Sequence, residues 1–290
     1  MATPTGIVAL EPGSPTWPAR LDGIEAPPER LWVRGRAELL SHAPLVAVVG
    51  SRSPTPYGEA QALRFARALS AAGVGVVSGL ARGIDQAAHA AALEMRGVTL
   101  AVLGCGVDRP WPGGEHAQRL ARDGALVSEL EPGTPPRRHH FPRRNRLISG
   151  LSDAVLVVEA AFASGSLITA RWAADQGRPV LAVPGRVDHP MARGCHRLLR
   201  EGALLAEDPE DVLRELGLAA ERMQLHPRVC APQPARAVDP LLEALRGETL
   251  SADELAARTG RSLAELLTRL VELELCGEVA RGPGGLWRLG

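Results

Sequence analysis

The chain has 290 residues, 45% of them apolar, and its 33 Lys+Arg balance 33 Asp+Glu. That length supports one large domain with a small companion, and the zero formal charge excludes a coat of positive charge, so a polyanion must be held by a local patch. No apolar run approaches the ~20 residues of a membrane span, no signal pattern precedes Pro18, and the four cysteines, Cys105, Cys195, Cys230 and Cys276, show neither CxxC nor Cys/His ligand spacing, which predicts reduced thiols in a cytoplasmic protein without a metal site.

Residues 1–42 are rich in Pro and Gly and read as an irregular lead-in, with a short amphipathic piece at Leu31-Trp32-Val33 that packs on the next domain. Leu45 to Val49 is a continuous apolar strand ending in Gly50-Ser51-Arg52-Ser53. A helix over about 58–72 carries Ala62, Phe65, Ala66 and Leu69 at helical spacing. Strands are predicted at 74–77, ending in Ser78-Gly79, and at 99–103, ending in Gly104, with a helix at 84–95 between them. The alternation continues with a helix at 115–122, a strand at 125–128, a helix at 143–150, a strand at 154–158, a helix at 167–176 and a strand at 180–183.

Continuous apolar strands alternating with helices indicate an α/β fold with a parallel sheet covered on both faces. Residues 43–218 form this Rossmann-like domain, and the Pro-containing stretch 219–237 reads as a linker. In residues 238–290 a short helix precedes two capping boxes, Ser251 to Glu254 and Ser262 to Glu265, and a hairpin broken at Gly282-Pro283-Gly284-Gly285 follows. Three helices and a hairpin make a winged-helix module. Its third helix carries Arg269 but also Glu265, Glu272 and Glu274, which suits a partner protein or a regulatory role better than a DNA groove.

In parallel sheets, ligands sit outside the carboxyl ends of the strands. Here those ends carry Gly50-Ser51-Arg52, Ser78-Gly79, Gly104, Glu159-Ala160 and Pro184-Gly185. Small residues let a ligand approach the backbone, and helix N-termini favour phosphate. The densest charge is Arg137-Arg138-His139-His140-Phe141-Pro142-Arg143-Arg144-Asn145-Arg146. Its guanidinium groups suit phosphate and Phe141 suits a base; the competing reading is a solvated basic loop. Taken with Arg52 and Arg82, the set favours a phosphate-rich ligand. Ser164-Gly165-Ser166-Leu167-Ile168-Thr169 opens a helix that Ser166 can cap.

Neither G-x-G-x-x-G nor G-x-x-x-x-G-K-[ST] occurs, and the second strand ends in Ser78 rather than a ribose-holding acid, so a dinucleotide or a Walker-type site is not expected. Asp85 and His89 share a helix face at i, i+4; they fit an acid/base or metal pair, or a hydrogen bond that fixes the loop, and the second is the expectation. No nucleophile–base pair accompanies Ser164 or Ser166. Trp111-Pro112 reads as a rigid packing turn, His196 as a satisfied polar residue, and His139 and His140 are left unassigned.

Val48-Val49-Gly50-Ser51-Arg52, Ser78-Gly79-Leu80-Ala81-Arg82-Gly83-Ile84-Asp85 with His89, Phe141-Pro142-Arg143-Arg144-Asn145-Arg146, Ser164-Gly165-Ser166-Leu167-Ile168-Thr169-Ala170 and Val183-Pro184-Gly185 follow in this order. Together they resemble the DNA-processing protein A (DprA/Smf) family over about residues 17–215, plus the winged helix. The resemblance implies an extended Rossmann-like domain that binds single-stranded DNA. It also implies a homodimer that loads the RecA recombinase and displaces single-strand-binding protein in natural transformation, with neither catalysis nor a cofactor. By motif match the DNA site comprises Gly50, Ser51, Arg52, Ser78, Gly79, Arg82, Gly83, Arg138, Phe141, Arg144, Asn145, Arg146, Ser164, Gly165, Ser166 and Thr169. The implied dimer segment is about 194–205.

The chain departs from the family pattern in three places. The segment before Leu45 is too short for the family's helical domain of the SAM type, Trp111-Pro112 stands for Tyr-Pro, and Gly194-Cys195-His196 stands for Gly-Thr-Asn. The alternative is a LOG-type nucleoside-monophosphate phosphoribohydrolase, which shares a Rossmann-like core. Its Pro-Gly-Gly-x-Gly-Thr-x-x-Glu motif would fall at Ser164 to Arg171, where the ribose-directed Glu is missing.

Overall fold

The computed structural model describes residues 6–218, 239–245, 248–275, 279–282 and 285–289. The chain divides into two units, Met1–His226 and Pro227–Gly290. The expected linker at 219–237 lies outside the described residues.

The first unit opens with two strands, β1 (Ile7–Leu10) and β2 (Leu31–Gly35). Six elements follow: β3 (Leu45–Val49), α1 (Pro56–Ala71), β4 (Gly75–Ser78), α2 (Ile84–Glu94), β5 (Thr99–Val102) and α3 (Glu115–Asp123). Next come β6 (Ala125–Ser128), α4 (His140–Gly150), β7 (Ala154–Val157), α5 (Ser166–Asp175), β8 (Val180–Ala182), α6 (Arg193–Arg200), β9 (Leu204–Leu205) and α7 (Pro209–Glu215). The strands form one nine-stranded sheet in the order β1-β2-β6-β5-β4-β3-β7-β8-β9. All neighbours from β6 through β9 are parallel; β2 joins β6, and β1 joins β2, antiparallel.

Each helix forms for a local reason. Thr55 caps α1 by accepting from Gly58 N, and Pro56 sits in its first turn, where a missing N–H costs nothing. Ala62, Phe65, Ala66 and Leu69 then line one buried stripe. They pack with α2 and α7 residues on one face of the sheet. The other face is covered by residues of α4 and α5 and by Leu10, Trp17, Leu21, Leu31 and Leu40. Strands β3 to β7 are therefore buried throughout, as their unbroken apolar runs predict.

Within the expected irregular lead-in, the described residues 6–42 include the two strands β1 and β2. β2 pairs with β6 from Trp32↔Ser128 to Gly35↔Ala125, so this segment extends the sheet. Leu31 and Val33 are fully buried while Trp32 is half-buried, a period-2 signal too short to stand out among Pro and Gly. Helix α4 also begins at His140, three residues before its expected start, which places Phe141 in its first turn.

The second unit contains α8 (Pro240–Ala244), α9 (Ala252–Thr259), α10 (Leu263–Leu275) and the hairpin β10 (Val279–Arg281) and β11 (Trp287–Leu289). Both capping boxes form: Ser251 N donates to Glu254 at 2.8 Å and Ser262 N to Glu265 at 3.3 Å. Gly260, at φ +68°, ends α9 in the left-handed conformation. Leu241, Leu255, Leu266, Leu270, Val279 and Trp287 form the module's own core. The fold is an α/β, Rossmann-like domain with a winged helix.

Candidate nucleic-acid interface

The chain runs from β3 outwards to β6, then returns to place β7 on the other side of β3. That reversal is the topological switch point where α/β sheets open a crevice at the carboxyl ends of the strands. A cleft of about 790 Å³ lies there. Its lining includes Gly50, Ser51 and Arg52 from the β3 end, Arg138, Phe141, Arg144 and Asn145 around α4, and Ser164, Gly165, Ser166 and Thr169 at the start of α5. A smaller cleft of about 220 Å³ adjoins it, sharing Arg52, Phe141 and Arg144 and adding Gly79 and Arg82. Thirteen of the sixteen expected residues thus line one or the other.

The β3 loop is fastened by Glu159, a buried carboxylate just past β7. It accepts from Thr55 N at 2.8 Å and Thr55 Oγ1 at 2.7 Å, and its carbonyl accepts from Ser51 N at 2.7 Å. Arg52 is left exposed, with its guanidinium 5.8 Å from the centroid of the Phe141 ring. The next loop turns on Asp85, whose carboxylate accepts from Gly79 N at 3.0 Å and Ala81 N at 3.3 Å. Gly83 turns the chain at φ +80°, and a side chain there would run into Ser51 O and Pro54. Arg82 is thereby held at the rim, exposed.

Asp85 and His89 do not pair. His89 Nδ1 lies 2.7 Å from Thr99 Oγ1, and because that hydroxyl donates to Val76 O, the ring nitrogen must be the donor. Burial, with His116 and Arg144 adding to it, pulls the His89 pKa down to about 3, so the ring is neutral. Asp85 is the loop-fixing hydrogen-bond acceptor. Its burial pushes the carboxyl up, against the opposing pull of Arg144 and the Ala81 and Gly79 amides.

The basic stretch separates into two kinds of arginine. Arg137 and Arg138 are exposed, and among the described residues neither they nor Arg52 and Arg82 form an ion pair. Arg144 is 4% exposed; its Nη1 donates to Val102 O at 2.5 Å, and its Nε has no partner. Burial lowers its pKa to about 10, with Asp85 resisting, so it stays protonated at neutral pH. A side chain on Gly79 would collide with its guanidinium, which is why that loop position is Gly.

Arg146 is 3% exposed and turned inward. It pairs with Glu129 through two bonds, at 2.8 and 2.6 Å, and donates to Ala26 O. The structure therefore places Arg146 behind the site rather than in it, because Glu129 and the N-terminal segment supply a closer partner. Ser78 is likewise internal, its Oγ donating to Val48 O at 2.6 Å. Gly83 shapes the loop without lining a cleft.

At the start of α5, Gly165 takes the cap position and Ser166 is the first helical residue, so Ser166 does not cap the helix. Ser164 Oγ lies 2.7 Å from Ser166 Oγ, so the two hydroxyls partner each other rather than a base. Asn145 ties α4 to this turn by donating to Gly165 O at 3.3 Å. His140 anchors the head of α4 on Gly104 O at 3.2 Å.

Sequence reasoning missed two participants. Glu159 gave no signal beyond its place at a strand end. Trp111, read as packing, is 55% exposed and lines both clefts; an aromatic between two prolines in a chain with so few aromatics was the available clue.

In the winged-helix module the arginines of α9 and α10 are paired. Arg258 meets Glu248 at 2.8 Å, and Arg269 meets Asp239 at 2.6 Å and Glu272 at 2.6 Å. No helix of the described residues is long and apolar enough to cross a membrane.

Two family models match. "DNA recombination-mediator protein A" covers residues 9–217, and "DprA winged helix domain" covers residues 227–285. The Protein Smf of Escherichia coli is 43% identical over 282 residues, spanning 94% of this chain and 75% of that one. The crystal structure of DNA processing protein A from Streptococcus pneumoniae superposes with a TM-score of 0.69 at 39% identity, covering 73% of this chain and 75% of that one. DNA processing protein A from Helicobacter pylori, whose structure describes a single-stranded DNA binding mode, gives 0.65 at 31% identity over 72% of this chain and 95% of that one.

Proposed function

Because this chain belongs to the DNA recombination-mediator protein A family of DNA-processing proteins, we propose that it binds single-stranded DNA in the cleft at the β3/β7 switch point. One observation carries the reading. Exposed Arg52, Arg82 and Arg138, without an ion pair among the described residues, converge with Phe141 and the start of α5 around two adjoining clefts. The guanidinium groups neutralise phosphates, the α5 N-terminus favours another, and Phe141 offers a face to a base. Arg144 adds charge from below, while Arg146, Ser78 and Gly83 hold the walls in place. The Helicobacter pylori relative supports the choice of ligand.

The finer role is that of a cytoplasmic homodimer that protects incoming strands and loads RecA onto them, displacing single-strand-binding protein, with neither catalysis nor a cofactor. Family membership supports it. So does the sheet edge at β9, where Leu204 and Leu205 are 43% and 46% exposed within the segment expected to dimerise. A strand-exchange reaction with competing single-strand-binding protein tests the loading step.

Anisotropy titration of an oligo-dT at two salt concentrations tests the binding. Affinity falls steeply with salt, in proportion to the phosphates neutralised. Arg52→Ala weakens binding by about 1–3 kcal/mol through a lost charge-assisted bond, and Phe141→Ala by about 1–3 kcal/mol through lost stacking. Equal affinity in wild type and Arg52→Ala would overturn the site. Release of free base from a nucleoside monophosphate would replace it with a hydrolase.

A further inference from the structure

Glu159 is 5% exposed and lines neither cleft, so it has no direct contact to offer a ligand there. A carboxylate taken out of water needs full hydrogen bonding or a cation, and among the described residues no cation pairs with it. Its oxygens accept instead from Thr55 N at 2.8 Å and Thr55 Oγ1 at 2.7 Å, and Gly58 N donates to that hydroxyl at 3.1 Å. The carboxylate thus sits at the N-terminus of α1, where the helix dipole favours negative charge. Gly58 admits it. Glycine within a helix is unfavourable, and here a Cβ would stand 2.5 Å from Glu159 Oε2.

The bonds of this one residue bracket the loop that carries Arg52. Its backbone carbonyl accepts from Ser51 N at 2.7 Å on one side of Arg52, and its carboxylate holds Thr55 on the other. Between those points Ser53 N donates to Ser51 Oγ at 3.1 Å, and Ser51 O accepts from Ile84 N at 3.1 Å. The Arg52 side chain has no ion pair to fix it among the described residues, so its place beside Phe141 depends on the backbone beneath it. An exposed arginine loses rotamer freedom when it meets a phosphate. Fixing its backbone beforehand lowers that cost.

We propose that Glu159 is a positioning residue for DNA binding: by clamping Thr55 at the start of α1, its carboxylate holds the Ser51 to Thr55 loop in the shape that presents Arg52 to a phosphate of the strand. The proposal rests on the single-stranded DNA reading and deepens it. Arg138 reaches the cleft from the segment before α4, outside this loop, and does not depend on the clamp.

The test is a double-mutant cycle on the full chain, read by anisotropy titration of an oligo-dT over a range of salt concentrations. Urea midpoints establish that each variant is folded. Glu159→Ala lowers dT affinity by about fivefold or more, without exceeding the loss in Arg52→Ala. In the Arg52→Ala background the same change alters affinity by less than about twofold, because the guanidinium it positions is gone. In the Arg138→Ala background the two losses multiply. The salt dependence falls by about one phosphate contact in Glu159→Ala and in Arg52→Ala, and no further in the double variant. Glu159→Gln, whose amide oxygen can still accept from Thr55 N, recovers part of the affinity. If Glu159→Ala does not fold, Thr55→Val, which removes the hydroxyl bond from the other side, carries the same cycle. Losses from the clamp variant and Arg52→Ala that multiply, or a clamp variant within about twofold of wild type, would overturn the proposal and leave Glu159 a structural residue. Failure of the wild type to bind dT at low salt would overturn the single-strand reading itself.

Discussion

Arg52, Arg82 and Arg138 face the clefts of the α/β unit exposed and, among the described residues, without a carboxylate partner, whereas Arg258, Arg261 and Arg269 of the winged-helix module lie 2.8, 3.9 and 2.6 Å from one. The same residue type lines the proposed DNA site in one unit and meets the module's own acidic residues in the other. The difference shows that composition alone does not locate a nucleic-acid site. What matters is whether each guanidinium is neutralised before the ligand arrives, and the contrast recurs within the basic stretch itself, between Arg138 and Arg146.

That contrast can be tested first on stability. Arg146 and Glu129 form a buried pair, at 3% and 10% side-chain exposure. Glu129→Ala strands a buried guanidinium and costs ~3–5 kcal/mol, toward the lower end because Ala26 O and Arg143 O still accept from Arg146. The corresponding change in the module, Glu248→Ala, breaks a pair exposed at 49% and 52% and costs ~0–1 kcal/mol. Urea midpoints at constant slope read both. A Glu129→Ala midpoint equal to that of Glu248→Ala would return Arg146 to the list of free cations.

Acid separates the units next. His89 is held neutral, with a pKa of about 3 against an ordinary 6.5. Below about pH 6.5 the unfolded chain binds a proton that the folded chain refuses, so stability falls as pH drops towards 3. The loss is on the order of a few kcal/mol, and His89→Asn, which keeps a donor for Thr99 Oγ1 without titrating, removes it. Residues 227–290 contain no histidine. There one acid-sensitive group is the half-buried Asp239: burial opposes ionisation, yet the Arg269 bond and the Leu241 amide hold its carboxyl below the usual range. Its contribution is present above the ordinary carboxylate pKa of about 3.9 and is lost only as pH falls through the lower folded value. Unfolding curves between pH 7 and 4 that are identical for wild type and His89→Asn would contradict the assignment.

The parallel core was legible because β3 to β7 are buried on both faces and their apolar runs are unbroken. The strand-end rule pointed to Gly50 to Arg52 and Ser78-Gly79, and the helix start to the Ser164 to Thr169 turn. β1 and β2 were hidden because four- and five-residue strands between Pro and Gly carry too few alternations to register. The fate of each arginine was hidden for another reason. Arg144 and Arg146 are two residues apart, and whether one meets Val102 O and the other Glu129 is decided by tertiary packing. Trp111 was misread because exposure is not written in a dipeptide.

The smallest expected effect bears on the module. In α10, Leu266, Leu270 and Leu273 are buried, while Leu263, Leu267 and Val271 form an exposed stripe at 44%, 42% and 51%. A helix that entered a DNA groove would meet phosphates along that outer face, and a new carboxylate there would repel them. Leu267→Asp therefore discriminates: we expect oligo-dT affinity to stay within about 0.3 kcal/mol of wild type and stability within about 0.5 kcal/mol, as for a surface substitution away from special features. Arg52→Ala, by contrast, costs about 1–3 kcal/mol of binding. If Leu267→Asp lowers affinity as much as Arg52→Ala does, α10 contacts DNA as well. If it leaves DNA affinity intact while strand exchange against single-strand-binding protein slows, the apolar stripe answers to a protein. The exposed leucines of α10 and the neutralised Arg258, Arg261 and Arg269 favour the second outcome, because a helix face whose arginines already meet carboxylates has little with which to hold a phosphate chain.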